Sequence, residues 1–170
     1  MQEETISEGL QHRLAMTRAM MKVFAASPAV RGGYLSFSVA LASGVLDAQF
    51  REQIALAVAG ANYSEASVAL HSDIAKRIGM SEDEIRASQR CHSDDAKRSA
   101  AMKFVSDLVA SRGQVSPEAV RRIRDAGYRD AEIAEIAAVA WVVTLANCLE
   151  CIAASQAEPN GALAPGLFPA

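Results

Sequence analysis

One apolar stretch limits the folds open to this 170-residue chain. Residues 136–149 are apolar on nearly every face of a helix, are interrupted only by Thr144 and Asn147, and are bounded by Glu135 and Glu150. The stretch is too short to cross a bilayer comfortably, so it predicts a buried helix rather than a membrane span. Because one small domain would struggle to cover it on all sides, we expect a homo-oligomer in which subunits pack against it.

The composition supports a single globular domain. The chain is 51% hydrophobic and 22% charged, which is enough for one well-packed core. A net charge of −3 lacks the basic excess that phosphate backbones attract, so we expect no nucleic acid partner. Three cysteines fit a reducing compartment, and residues 1–9 lack the pattern of a secretory signal. We therefore expect a cytoplasmic location.

Helical spacing of apolar residues recurs along the chain without an alternating strand pattern, which predicts an all-α fold. We expect residues 1–157 to form one helical domain and residues 158–170, which contain prolines, to form an irregular tail. The predicted helices span residues 7–26, 28–42, 47–61 with Asp47 as cap, 64–79 with Ser64 as cap, a short segment from Ser81, 96–111, a segment from Ser116, and 130–156 with Asp130 as cap.

A few large apolar side chains are assigned to the core from their positions on these helices. Leu10, Leu14, Met21 and Phe24 are expected to be buried in the first helix. Trp141 is expected to lie in the core or at an interface.

The segment from Glu52 to His71 carries the functional information. Glu52 is followed after eleven residues by Ser64, then by Ser67 and His71. Alkylhydroperoxidase D-like proteins show a glutamate at the same interval before a Cys-x-x-Cys-x-x-x-His segment. With similar flanking passages, the chain from residue 21 to 153 resembles the alkylhydroperoxidase D and carboxymuconolactone decarboxylase superfamily.

This resemblance implies a fold, an activity and a set of site residues. The implied fold is the alkylhydroperoxidase D-like (AhpD-like) helical bundle, assembled as a trimer or hexamer and acting as a peroxidase on a small-molecule substrate. Glu52 and His71 match the family's proton-relay acid and histidine. Ser64 and Ser67 stand at the positions of the resolving-type and peroxidatic-type cysteines. The resemblance implies no metal or organic cofactor.

Replacement of the two cysteines by serine changes the expected chemistry. A thiolate attacks peroxide and passes through sulfenic acid to a disulfide. A serine hydroxyl ionises far less readily and forms no disulfide, so we expect thiol peroxidase activity to be absent or altered. Two origins are consistent with the serines, namely a natural lineage without the dithiol and a deliberate exchange of both cysteines.

Other interpretations of the same residues remain open. Glu52 could orient His71 to activate Ser67 or a water in a cofactor-free decarboxylase or lactone hydrolase, or the scaffold could serve binding or assembly without catalysis. In the simplest structural interpretation, Ser64 is only a helix cap, His71 is a hydrogen-bonded core residue, and Glu52 belongs to a solvated patch.

A second candidate redox site lies in the last helix. Cys148 and Cys151 are three residues apart and share a helix face, so they could form an alternative redox pair. The competing interpretation is that both are small buried hydrophobic residues. Relatives show a histidine where Cys151 stands, four residues after the position of Asn147. Cys91 and His92 lack the spacing of a zinc site and are assigned to a loop.

Overall fold

The computed structural model describes residues 21–155, and this range consists of helices joined by turns. The all-α prediction is confirmed for it. Leu10, Leu14 and the tail 158–170 lie outside the described residues. Residues 21–26 are helical, and the helices that follow are α1 (Pro28–Ala42), α2 (Ala48–Ala61), α3 (Glu65–Arg77), α4 (Glu82–Gln89), α5 (Ala96–Ala110), α6 (Pro117–Asp125) and α7 (Asp130–Ser155).

Polar caps begin the helices where the sequence predicts them. Asp47 accepts a hydrogen bond from the backbone N–H of Phe50, and Ser116 accepts one from that of Ala119. Ser81 and Glu84 form a capping box. The Ser81 hydroxyl accepts from the backbone N–H of Glu84, and the Glu84 carboxylate accepts from the backbone N–H of Ser81. Each side chain satisfies a donor that the first helical turn would otherwise leave unpaired.

The predicted cap of the last helix was wrong. Asp130 is the first helical residue of α7 rather than its cap, and its carboxylate accepts a hydrogen bond from Arg124. The Glu132 carboxylate instead accepts from the backbone N–H of Arg129, 2.9 Å away. A carboxylate two residues into the helix thus satisfies the backbone donor of the residue that precedes the helix.

Helix α2 forms the centre of the bundle, since it packs against α3, α4, α5 and α7. Residues 53–59 of α2 are buried on all sides, and Ile54 and Leu56 are fully enclosed. Gly60 at its end allows a close approach, because a Cβ there would lie 2.3 Å from the backbone oxygen of Gln89. Because neighbouring helices surround α2, they determine the direction in which each of its side chains points.

Helix α7 is 26 residues long and therefore extends well beyond the apolar stretch. By length and composition it could cross a membrane, but half of its most apolar window is buried inside the protein. Its inner face contributes Ile136, Val139 and Val143 to the main core. Asn147 and Glu150 are buried polar residues on the same helix, and packing within the bundle accounts for much of its apolar character.

One core assignment is confirmed and one was wrong. Phe24 is buried against Leu149 and Ala153, as predicted. Met21, however, is 57% exposed. Trp141 is 40% exposed on α7, so of its two predicted positions the interface remains as a prediction. Helical periodicity locates an apolar stripe but does not show which of its end residues another element covers.

Candidate active site

The turn between α2 and α3 positions the predicted site residues. Asn62 ends α2, and Tyr63 adopts a left-handed backbone with φ of 54°. Ser64 then caps α3, its hydroxyl accepting from the backbone N–H of Ser67 at 3.3 Å. A left-handed non-glycine residue allows the sharp reversal between the two helices. The Tyr63 side chain projects outward and is 92% exposed.

Glu52 on α2 and His71 on α3 meet across this reversal. Oε2 of Glu52 lies 2.8 Å from Nδ1 of His71, and the two side chains are only 18% and 16% exposed. When Nδ1 carries the proton it donates to the carboxylate, which leaves Nε2 as the ring atom that can take up a proton. The arrangement is therefore suited to proton transfer, and it argues against Glu52 being part of a solvated patch.

Ser67 is almost completely buried, and its hydroxyl contacts an amide. It is 1% exposed, and the side-chain amide of Asn147 donates to its Oγ at 2.7 Å. Asn62 in turn donates to the oxygen of Asn147 at 3.0 Å. Within the described residues the hydroxyl is thus bound by Asn147 rather than His71. An amide is not a base, so this contact alone does not activate Ser67 as a nucleophile.

Ser64 joins the start of α3 to a carboxylate on α7. Its hydroxyl donates to Oε2 of Glu150 at 2.8 Å while it accepts from the backbone of Ser67. Glu150 is only 9% exposed. A negative group beside a helix N-terminus is stabilised by the unpaired N–H groups and the helix dipole. The site therefore contains two polar pairs, Glu52 with His71 and Ser64 with Glu150, together with the chain of amides that binds Ser67.

Glu150 is a site residue that the sequence did not indicate, because its evident role there is to end the apolar stretch. The available signal was its spacing, since an asparagine and a glutamate three residues apart fall on one face of an otherwise apolar helix. Tyr34 on α1 also lies near this carboxylate. Burial raises the pKa of Tyr34, a hydrogen bond with Ser38 opposes the rise, and the Glu150 charge adds to it.

None of the three cysteines belongs to these pairs, and all three are free. Cys148 and Cys151 are both free and exposed, so the interpretation as buried hydrophobic residues was wrong. Cys91 lies in the loop between α4 and α5, as predicted, with its thiol 3.8 Å from the backbone oxygen of Ala57. Burial raises the pKa of the Cys91 thiol, which reduces its thiolate fraction.

Metal-binding side chains do not cluster in the described part of the chain. Between residues 21 and 155, no three or more His, Cys, Asp or Glu side chains are arranged to hold a metal ion.

Comparison with known families finds one that matches part of this chain. Residues 28–106 match the Carboxymuconolactone decarboxylase family. The matched range contains Glu52, Ser64, Ser67 and His71 but ends before α7, which supplies Asn147 and Glu150. A search of curated protein sequences finds no match.

A solved structure supports the same fold. The chain resembles an uncharacterized peroxidase-related protein from Silicibacter sp. TM1040, with a TM-score of 0.62 and 18% sequence identity. The similarity covers 80% of this chain and 70% of that one. At this identity the likeness concerns the fold, and it confirms the predicted AhpD-like helical bundle.

Proposed function

We propose that the whole chain belongs to the alkylhydroperoxidase D and carboxymuconolactone decarboxylase superfamily, with Ser64 and Ser67 at its two redox-cysteine positions. In this proposal the chain keeps the proton-relay pair and lacks ordinary thiol peroxidase turnover at that site. The main support is the 2.8 Å contact between Glu52 and His71, made across the same reversal that presents both serines. The family match over residues 28–106 includes all four.

The environment of each serine supports the loss of redox turnover. Ser67 is held by an amide, and Ser64 is held by a carboxylate while it caps α3. Both hydroxyls are therefore engaged in structural hydrogen bonds, and neither can form the sulfenic acid or disulfide of the dithiol cycle.

Restoring the thiols tests this proposal directly. We expect the protein as it stands to consume hydrogen peroxide at background rate with a dithiol reductant. The Ser64→Cys/Ser67→Cys variant should consume peroxide and convert its two new thiols to a disulfide, which thiol titration detects. The same assays in a Cys148→Ser/Cys151→Ser background assign any remaining turnover to that alternative redox pair. Peroxide consumption by the original chain as fast as by the restored variant would contradict the proposal.

Glu150 provides a sharper version of the test. A thiolate at position 64 would form beside this carboxylate, and like charges in close contact disfavour ionisation. We therefore expect disulfide formation in the restored variant to be faster once Glu150→Gln is added. A matched Glu65→Gln change removes an exposed carboxylate from the first turn of α3 and controls for overall charge. If the two substitutions change the rate of disulfide formation equally, the Glu150 carboxylate beside position 64 does not slow that reaction.

Cofactor-free acid–base catalysis is the second candidate function, and the largely buried Glu52–His71 pair favours it. His71, oriented by Glu52, would move a proton to or from a small lactone or carbonyl substrate. Turnover of lactones by this protein should fall in His71→Ala and remain unchanged in His92→Ala, which alters an exposed histidine in the loop before α5. Equal turnover in the two variants removes His71 from the mechanism. If the protein is inactive in both the peroxide and the lactone assay, a non-catalytic binding or assembly role is favoured.

We further propose that the protein is a cytoplasmic homo-oligomer. Exposed large apolar side chains on two helices support this assembly. They are Val30, Leu35, Phe37 and Val39 on α1, and Trp141, Leu145 and Ile152 on α7. A trimer or hexamer is the expected form, and its substrate would be a small molecule.

A further inference from the structure

A cavity of about 290 Å³ lies where α2, α4 and the start of α5 meet. Gln53 and Ser93 are the buried members of its lining, and Glu84, Asp94 and Asp95 are exposed at its edge. Successive residues of an α-helix are turned by about 100°. Gln53 therefore faces α5, whereas its neighbour Glu52 faces α3. The cavity is thus separate from the Glu52–His71 pair.

The orientation of the Gln53 amide is fixed by its partner. Nη1 of Arg98 lies 3.1 Å from Oε1 of Gln53, and a guanidinium only donates, so the amide oxygen must face Arg98. This leaves the NH₂ group of Gln53 without a hydrogen-bond partner among residues 21–155, although the residue is only 4% exposed. A buried donor in this position costs free energy unless something accepts from it.

The second buried group is also a donor. The Ser93 hydroxyl accepts from the backbone N–H of Asp95 at 3.3 Å, so its own proton can be donated. The buried part of the cavity thus presents an amide NH₂ and a hydroxyl, which together suit a carbonyl or similar oxygen acceptor.

The edge of the cavity carries carboxylates, in contrast to the hydrogen-bond donors of its buried part. Glu84, Asp94 and Asp95 place three carboxylates there, beside the guanidinium of Arg98 and the imidazole of His92, whose Nε2 lies 3.5 Å from Oδ1 of Asp94. That guanidinium is itself engaged by Asp47 at 2.8 Å, outside the lining. The edge therefore attracts a cation and disfavours an anion.

We propose that this cavity binds a small organic ammonium compound that carries a carbonyl oxygen. The oxygen accepts from the Gln53 amide, and the ammonium lies among the carboxylates at the edge. Two recognition points of opposite character, one buried and one exposed, select such a compound over a plain amine, a plain amide or a carboxylic acid. The site is independent of the proposed function of the Glu52–His71 pair.

Glycinamide is the probe for this test, because it contains one ammonium group and one amide carbonyl. Titration of the ¹⁵N-labelled protein, followed by the side-chain NH₂ signals of Gln53, reports directly on the buried donor. We expect saturable shifts with glycinamide and none at matched concentrations of ethylamine, acetamide or acetate. The proposal is wrong if acetamide also gives saturable shifts of the Gln53 signals, or if glycinamide gives none. Solvent is then the partner of the amide.

Two variants locate the binding. Gln53→Met keeps the approximate volume and removes the donor, and backbone signals of the surrounding residues should then show affinity lower by about tenfold. Asp94→Asn changes a fully exposed carboxylate, leaves the core untouched and should weaken binding by about threefold. Asp125→Asn, at the exposed end of α6, removes the same charge away from the cavity and should have no effect. Equal weakening by Asp94→Asn and Asp125→Asn contradicts the assignment.

Discussion

Ser64 shows how one side chain can cap its own helix and also bind a distant one. Its hydroxyl uses its acceptor capacity to cap α3 and its proton to bind Glu150. The cap could be predicted from the sequence, because cap and helix are neighbours in the chain. The contact with Glu150 could not, since it joins residues 86 positions apart and depends on how α7 packs.

Removing the Ser64 hydroxyl should lower the stability of the protein measurably. Ser64→Ala eliminates the cap and leaves the buried Glu150 carboxylate without the hydroxyl that donates to it, so we expect the free energy of unfolding to fall by about 1–3 kcal/mol. Urea unfolding of the two proteins gives this difference. Ser36→Ala, an exposed substitution within α1, is the control and should change stability by less than about 0.5 kcal/mol. Equal effects would show that Ser64 contributes no more than an ordinary surface serine.

Helix boundaries were the part of the fold best predicted from sequence, for a local physical reason. Proline, glycine and small polar caps act through their immediate neighbours, so Pro28, Ser81 and Pro117 identify helix starts correctly. Packing was harder to predict. The two exposed cysteines of α7 and the exposed Met21 depend on which neighbouring helix covers which face, and a single sequence does not contain that information directly.

The junction of α2, α5 and the turn before α7 shows such packing in detail. The ring of Tyr128 stacks on Phe50 at a centroid distance of 5.9 Å, and Nζ of Lys97 lies 4.4 Å from its centroid. Burial raises the pKa of Tyr128 to about 12, while the charge of Arg98 opposes this rise. The phenol is therefore held in its neutral form in the folded protein at pH values where an exposed tyrosine ionises.

This junction should lose stability in alkali. The folded pKa of Tyr128 lies above the ordinary value of 10.0, so its contribution is complete below that value and is lost as the pH rises toward 12. Between about pH 9 and pH 11, we expect the original protein to lose up to about 1 kcal/mol more than Tyr128→Phe in urea unfolding. The exposed Tyr63→Phe change is the control and should lose as much as the original. An identical loss in Tyr128→Phe would contradict this account.

At the scale of the whole molecule, the described residues leave two apolar helix surfaces uncovered. Leu35 is 50% exposed and Val39 is 67% exposed on α1, and α7 presents Trp141 and Leu145. Exposed apolar side chains of this size are common singly, but their grouping on two helices that pack together favours an interface. The apolar stretch of α7 predicted that one chain would not cover all of it.

Sedimentation velocity tests the assembly. We expect the protein to sediment as an oligomer, and Val39→Glu on the exposed surface of α1 should shift it toward smaller species, because an interface tolerates an unpaired charge poorly. Glu118→Gln, on the exposed surface of α6, provides a control that should leave the sedimentation coefficient unchanged. A stable monomer at micromolar concentration removes the oligomer proposal.

The carboxylate of Glu150 beside Ser64 also bears on how readily such a site could change its chemistry during evolution. An alcohol donates to this carboxylate without ionising, whereas a thiolate at the same position would meet a like charge. A single change to cysteine at position 64 would thus gain a disfavoured nucleophile and lose a good helix cap. Under the proposed correspondence, two cysteines at the start of α3 suffice for a slow dithiol cycle, and a fast one also requires a change at Glu150 on α7.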